Sequence, residues 1–241
     1  MTESVSNENK KEYEGKSFPL EPPTVLQREA YYKGEENEPT EELKNLNKER
    51  LGLIFEILNH PAMDRLIEEG NITFGAIKPS AHESKLGLVD DVAAERELLR
   101  QIVNRRDTSL RVAFSVSLRP SREELEEFYE DAKAKLQSIS EGDSTAWDNM
   151  IESMMAGPVT YFLLCDSEFK GDAVREWRRI IGATNPSEAD EESIRGKFAL
   201  GMPNNLVHGA SYGDSREEAV VNVKHEVGWL RNRLIEKRDL I

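Results

Sequence analysis

Short apolar segments alternate with helical patterns from residue 72 to residue 229 of this chain. Residues Ile72–Ile77, 112–118, 159–165 and 198–201 have the length and the β-branched or aromatic content of strands. Apolar residues at helical spacing occupy residues 89–103, 121–136, 147–155, 172–181 and 215–229. This β-α-β-α-β-α-β-α order predicts an α/β sandwich that has one four-stranded sheet with helices on one face.

Local signals place several boundaries of these elements. Ser121 and Ser215 are each followed three residues later by glutamate, which is the pattern of a capping box at a helix start. In the second strand, apolar Val112, Phe114, Val116 and Leu118 alternate with smaller residues, which predicts that all four face one side. Residues 136–148 are polar and indicate a loop or an insertion.

The N-terminal part of the chain divides into two segments. Residues 1–40 are rich in Glu, Asn, Lys and Pro, so they form either a free tail or an extended arm held by a few aromatic side chains. Residues 41–70 carry leucine and isoleucine at helical spacing and predict a helical extension interrupted by Pro61. Residues 71–241 are the predicted globular domain.

Charge and cysteine content narrow the function classes. The chain has 32 Lys and Arg against 46 Asp and Glu, a net charge of −14, which disfavours nucleic acid and anionic membranes as partners. A small anionic ligand would need a local basic pocket. Cys165 is the one cysteine, no apolar run is long enough to span a bilayer, and the N-terminus is polar and acidic. We therefore expect a soluble, cytoplasmic protein.

The segment Asn205-Leu-Val-His208-Gly209 carries the main candidate for chemistry. Histidine can accept and pass on a group near neutral pH, and the small Gly209 is expected to leave its surroundings open. Arg195 lies thirteen positions upstream, and a nucleophilic histidine beside an arginine suits phosphoryl transfer. Taken alone, His208 is better explained as an ordinary loop histidine.

Further polar residues have equally ordinary explanations when each is taken singly. Arg178 is in the last turn of a predicted helix, where a cation favourably meets the helix dipole. Lys78 ends the first strand, and Thr184 lies in a Gly-Ala-Thr-Asn-Pro turn. The functional interpretation is a set of donors that clamp phosphate oxygens.

Taken together, these segments resemble the nucleoside diphosphate kinase family. The resemblance lies in Ile72-Thr-Phe-Gly-Ala-Ile-Lys78-Pro79, in Gly157-Pro158-Val159, in Gly182-Ala-Thr184-Asn185-Pro186 followed by Ser193-Ile-Arg195-Gly196, and in the His208 segment. Several motifs in the same order are far more specific than one. The resemblance implies a ferredoxin-like, four-stranded antiparallel sheet with packed helices.

The resemblance also implies roles for individual residues. His208 matches the phosphorylated nucleophile of a ping-pong reaction, and Tyr129 the active-site tyrosine. Nucleotide and phosphate contacts are implied for Lys78, Arg178, Thr184, Arg195 and Asn205. It further implies ATP and other nucleoside di- and triphosphates as ligands, Mg²⁺ bound through their phosphates, and a homo-oligomer.

The chain departs from the family around His208. Ala210 stands where the family has serine, and Asn222 falls where a glutamate usually supports the imidazole. Glu217, Glu218 or Glu226 could supply that charge instead. Ile139 and Trp147 are the candidates for stacking on the base. An active kinase is favoured, and a nucleotide-binding or regulatory module with little turnover is the alternative.

Overall fold

The computed structural model describes residues 41–79, 86, 91–130, 133, 145–201 and 205–238. In chain order these residues form α1 (Glu41–Leu58), α2 (Met63–Glu68), β1 (Ile72–Ile77), α3 (Asp91–Val103), β2 (Leu110–Leu118), α4 (Arg122–Phe128), α5 (Thr145–Met155), β3 (Val159–Asp166), α6 (Ala173–Ile181), α7 (Ile194–Phe198), β4 (Val207–Gly209) and α8 (Arg216–Arg238). A short 3-10 turn, Pro186–Glu188, precedes α7. The predicted free tail or arm, residues 1–40, lies outside the described residues, as does Ile139.

The four strands form one antiparallel sheet in the order β2-β3-β1-β4. This arrangement confirms the antiparallel, ferredoxin-like sheet. The position of the fourth strand was predicted wrongly. Residues 194–198 are helical because Ser193 caps them through Gly196 N, whereas the fourth strand is Val207–Gly209 and contains His208.

Helices cover both faces of the sheet, so the prediction of helices on one face is wrong. Along β3, Tyr161 and Leu163 pack into one core cluster with α1, α2, α4, α5 and α8, which we call the first face. Phe162 and Leu164 pack into a second cluster with α3, α6 and α7, which we call the second face. Side chains alternate along a strand, and β3 is buried on both sides, which explains its uninterrupted apolar sequence.

A bulge in β2 corrects the predicted alternation of that strand. Val112 pairs with Leu164, but Phe114 pairs with Leu163, so one additional residue is inserted at this point. As a result Val112 packs on the second face, whereas Phe114, Val116 and Leu118 pack on the first.

Two glycines allow α6 to pack close to the sheet. Gly75 of β1 is paired with Gly209 of β4. A Cβ atom on Gly209 would lie 2.7 Å from Trp177 Nε1, and one on Gly75 would lie 3.1 Å from Trp177 Cζ2 and 2.4 Å from the Phe162 ring. The fully buried Trp177 indole therefore occupies the space above both glycines.

The helical extension packs into the first face rather than standing apart. Ile54 and Leu58 of α1, together with Met63, Leu66 and Ile67 of α2, share a core cluster with α8. Within the described residues, no helix is both long enough and apolar enough to cross a membrane.

Candidate active site

His208 and Glu226 form the centre of the site. His208 lies on β4 opposite Ala76 of β1, and its ring faces α8. Its Nε2 is 2.8 Å from Glu226 Oε1, and the two side chains are 17% and 9% exposed. Glu226 Oε2 is buried and makes no hydrogen bond within the part of the chain that the structure describes. A carboxylate at Nε2 favours the tautomer that carries its proton there, which leaves the lone pair on Nδ1.

Asn222 stands at the position expected to support the imidazole, with three glutamates as alternatives, and in the structure its side chain bonds elsewhere. Asn222 Nδ2 donates to the Ser211 carbonyl at 3.1 Å, one helical turn before Glu226. Glu217 and Glu218 lie in the first turn of α8, where Glu218 accepts from Asp214 N. Of the three glutamates left open as alternatives, Glu226 is the one that contacts His208.

A signal for Glu226 was present in the sequence. Ala219, Val223, Leu230 and Leu234 form the buried stripe of α8 at helical spacing, and residue 226 completes that stripe. A charged residue in such a stripe requires a partner, because the desolvation of an unpaired buried charge costs on the order of several kcal/mol.

A tight turn places the backbone before His208. Val207 N donates to Asn205 O at 2.8 Å, and Leu206 between them has φ of 65°. A leucine in this region is strained, and such strain persists only where the surroundings impose it. Here the Leu206 side chain is fully buried, and its carbonyl accepts from Lys78 N at 2.8 Å. The turn therefore joins the end of β1 to the start of β4.

Arg178, Thr184 and Asn205 lie together on one side of the site. Arg178 is in the last turn of α6, and its Nη2 donates to Thr184 Oγ1 at 3.2 Å. Asn205 Nδ2 donates to the Thr184 carbonyl at 3.1 Å. Burial lowers the pKa of the Arg178 guanidinium, and nearby Glu226 opposes this shift. Thr184 itself is exposed and can reach a ligand.

Arg195 is more deeply buried than a surface arginine, at 3% exposure. Its Nη1 donates to Gly182 O at 2.8 Å and its Nη2 to Val207 O at 2.6 Å, the carbonyl that precedes His208. Burial and the charge of Arg178 lower the pKa of Arg195 to about 9, so the side chain stays protonated at neutral pH. Arg195 thus ties the end of α6 to β4.

Lys78 follows β1 and is also buried, at 9% exposure. Burial and the repulsion of Arg195 lower the pKa of the Lys78 ammonium to about 7. Because this pKa is close to neutral pH, a bound anion would stabilise the charged form of Lys78. Lys78, Arg178 and Arg195 therefore make a local basic region in an acidic protein.

Tyr129 closes the first-face side of the site directly after α4. Its ring centroid is 5.6 Å from that of His208, and Phe128 lies 5.3 Å from the same ring. Burial, and secondly the charge of Glu226, raise the pKa of the Tyr129 phenol, so this group stays protonated. Both aromatic rings contact the imidazole in edge geometry and so limit its rotation.

Two expectations about the rim of the site need correction. Gly209 does not leave open space, because its Cβ position lies 2.7 Å from atoms of Trp177 and Ile181. Trp147 is 6% exposed in the core, and Lys133 Nζ lies 5.0 Å above its ring. In this structure the indole therefore presents no open face to a base.

Comparisons with known proteins agree with the motifs. The nucleoside diphosphate kinase family model matches residues 72–225. A nucleoside diphosphate kinase of Erythrobacter litoralis is 34% identical over 151 residues, which are 63% of this chain and 89% of that protein. Another, of Campylobacter lari, is 32% identical over 143 residues, 59% of this chain and 93% of that protein. The crystal structure of the apo enzyme of Encephalitozoon cuniculi is 27% identical, covers 66% of this chain and 87% of that chain, and has a TM-score of 0.49.

Proposed function

The chain belongs to the nucleoside diphosphate kinase family of phosphotransferases, and on that premise we propose that it transfers the γ-phosphate of a nucleoside triphosphate to a nucleoside diphosphate through His208. Nδ1 attacks the γ-phosphorus, the bond to the β-phosphate oxygen breaks, and the diphosphate leaves. The β-phosphate of a second diphosphate then attacks the phosphohistidine and regenerates the imidazole. The phosphate transfer between two nucleotides is thereby split into two simpler covalent steps.

The contact between His208 Nε2 and Glu226 Oε1 carries this proposal. It holds the ring in the tautomer that keeps a lone pair on Nδ1, and it stabilises the positive charge that the ring acquires when Nδ1 is phosphorylated. The surrounding Phe128 and Tyr129 rings limit the rotation of the imidazole.

The cations near His208 supply the electrostatic part of the mechanism. Arg178 and Thr184 are proposed to hold phosphate oxygens, and Lys78 the triphosphate or the sugar. Arg195 adds a positive charge near the ring, but two of its N–H groups donate to the Gly182 and Val207 carbonyls. Asn205 is proposed to reach the sugar hydroxyl from its position beside Thr184.

Mg²⁺ is proposed to enter with the nucleotide. Among the described residues, no group of three or more His, Cys, Asp or Glu side chains could hold a metal, and the residues around His208 are mainly cationic. These residues fit an ion that is bound by phosphate oxygens rather than by a protein cage. When bound, Mg²⁺ would neutralise charge that develops between the β- and γ-phosphates.

Incubation with γ-labelled ATP tests the proposal directly. We expect an acid-labile, alkali-stable phosphate on the wild-type chain, none on His208→Ala, and release of the label when a nucleoside diphosphate is added. ADP binding by His208→Ala would show that this variant keeps its nucleotide site. An unlabelled wild-type chain that still binds ADP would contradict the proposal.

The second candidate is a nucleotide-binding module with little turnover, and Ala210 favours it. Ala210 is fully buried and belongs to the same core cluster as Ala219 and Val223 of α8. It offers no hydroxyl, and Glu226 Oε2 has no hydrogen bond among the described residues. ADP affinity without phosphate exchange between ATP and several diphosphates would favour this candidate.

A further inference from the structure

The helix that carries Glu226 is held from outside the segment that matches the family. The matched residues end at residue 225, directly before Glu226. The extension α1–α2 precedes that segment, and both of its helices contact α8. The position of the Glu226 carboxylate therefore depends on parts of the chain that the family match does not cover.

Three polar contacts join the extension to α8. Arg216 Nη2 donates to Glu69 O at 2.6 Å, Lys224 Nζ pairs with Glu68 Oε1 at 2.7 Å, and Arg231 Nη2 donates to Leu58 O. These contacts span α8 from its first turn to well past Glu226. Contacts along such a length restrict both sliding and rotation of the helix.

The extension contacts α8 on more than one side of the helix. Lys224 and Arg231 are seven residues apart, so they lie on one stripe of the helix. That stripe is roughly 150° around the helix from Glu226, at 3.6 residues per turn. Leu58 and Ile67 are also fully buried in the same cluster as Val223 and Leu230. The extension thus contacts α8 on the side opposite Glu226 through Lys224 and Arg231. It also contacts α8 beside Glu226 through the apolar cluster, because Val223 and Leu230 belong to the same buried stripe as Glu226.

We infer that residues 41–69 are part of the active-site scaffold, and that Arg231 and Lys224 are positioning residues that keep Glu226 against His208 Nε2. This inference rests on the proposed function of His208. A single contact of 2.8 Å joins Glu226 to the ring, and its second oxygen has no hydrogen bond among the described residues. A small shift of α8 would therefore break the support of the imidazole without disturbing Arg178 or Thr184.

Substitutions at the interface test this role in the full-length chain. Arg231→Ala should slow the single-turnover phosphorylation of His208 by ATP about tenfold. This is the lower end of the range expected when a reacting histidine loses the hydrogen-bond partner that orients it. ADP affinity should remain unchanged, because none of the proposed phosphate and sugar contacts, which include Lys78, Arg178 and Asn205, lies on α8. Arg122→Ala is the matched control, since the ion pairs of Arg122 join α4 to α5 and do not involve α8.

A double-mutant cycle separates positioning from general stability. If Arg231 acts through Glu226, then Arg231→Ala should add nothing to the slowing caused by Glu226→Gln. The ¹⁵N signal of His208 Nε2 should also move from the wild-type position towards that of Glu226→Gln. Multiplicative rate losses, or a wild-type Nε2 signal in Arg231→Ala, would overturn the inference.

A charge swap provides a second test if Arg231→Ala does not fold. Lys224 and Glu68 are 42% and 59% exposed, so Lys224→Glu should fold but repel Glu68. The rate of His208 phosphorylation should fall by up to about fivefold, because exposed ion pairs contribute little energy. Glu68→Lys in the same chain should restore the rate. No change in rate or in the Nε2 signal would count against the inference. Lack of phosphohistidine on the wild type would refute the proposed function instead, and the Nε2 signal would still test the scaffold.

Discussion

The two sides of His208 are held in different ways. On the phosphate side, Arg178, Thr184, Asn205 and Arg195 contact residues between 6 and 21 positions away in the chain. On the carboxylate side, Glu226 is 18 positions from His208, and the helix that carries it is fixed by contacts across 147, 156 and 173 positions. The phosphate side can therefore be recognised as a motif, whereas the carboxylate side exists only after the chain has folded.

The largest expected effect is on the phosphate side. Arg178→Ala should lower the rate of His208 phosphorylation about 10²–10³-fold, as for the loss of one preorganised donor. Arg179→Ala is the matched control, because the neighbouring Arg179 pairs with Glu176 and Asp107 on the surface. Single-turnover measurements with labelled ATP would check both. Equal losses in the two variants would show that charge in α6, and not the position of Arg178, matters.

The carboxylate side should respond more weakly. Glu226→Gln keeps the shape but removes the charge, and we expect about 10–100-fold slower phosphorylation. Asn222→Ala, one turn earlier, should change the rate by less than about threefold, since it loses only an exposed hydrogen bond to Ser211 O. The same single-turnover assay applies. A larger effect at Asn222 than at Glu226 would reverse the assignment that the structure makes.

Gly209 tests whether the packing behind His208 is as tight as the distances indicate. Gly209→Ala should lower the free energy of unfolding by about 1–3 kcal/mol, because its methyl group would meet Trp177 and Ile181. Gly228→Ala is the control, because, apart from its chain neighbours and the helix backbone, no atom of the described residues lies within 4 Å of its Cβ position in α8. The same change should there be neutral or stabilising by about 0.5–1 kcal/mol. Urea unfolding would measure both variants. A neutral Gly209→Ala would show that α6 can move away from the sheet.

The smallest expected effect is a pH dependence of nucleotide binding that arises from Lys78. With its pKa near 7, Lys78 in the free protein loses its charge as the pH rises above neutrality. A bound phosphate favours the charged form, so ADP binding at pH 8 should take up a proton, and affinity should fall from pH 7 to pH 8. Calorimetry in buffers of different ionisation enthalpy would detect the uptake. Lys78→Arg should remove it, because arginine stays charged at both pH values.

Sequence patterns identified the strands β1, β2 and β3 and most helix starts, because apolar periodicity and capping serines are local signals. The resemblance to a known family, and not these local signals, singled out the residues from Lys78 to His208 that the fold brings together. Sequence patterns did not identify β4, which has only three residues and forms by pairing with distant β1. Nor did they show the β2 bulge or the coverage of both sheet faces, which depend on the register of partner strands.

What the sequence by itself determined is the alternation of strands and helices through β3, since that follows from short-range patterns, and its resemblance to a known family singled out the residues of the phosphate side. The tertiary structure alone decided which glutamate supports the imidazole. Asn222 and Glu226 are one turn apart on one helix, and only the packing of α8 against the sheet and the extension selects the second. The same packing turned an apparently open Gly209 into a close contact with Trp177. Long-range contacts set these positions, and a linear sequence carries no direct record of distance.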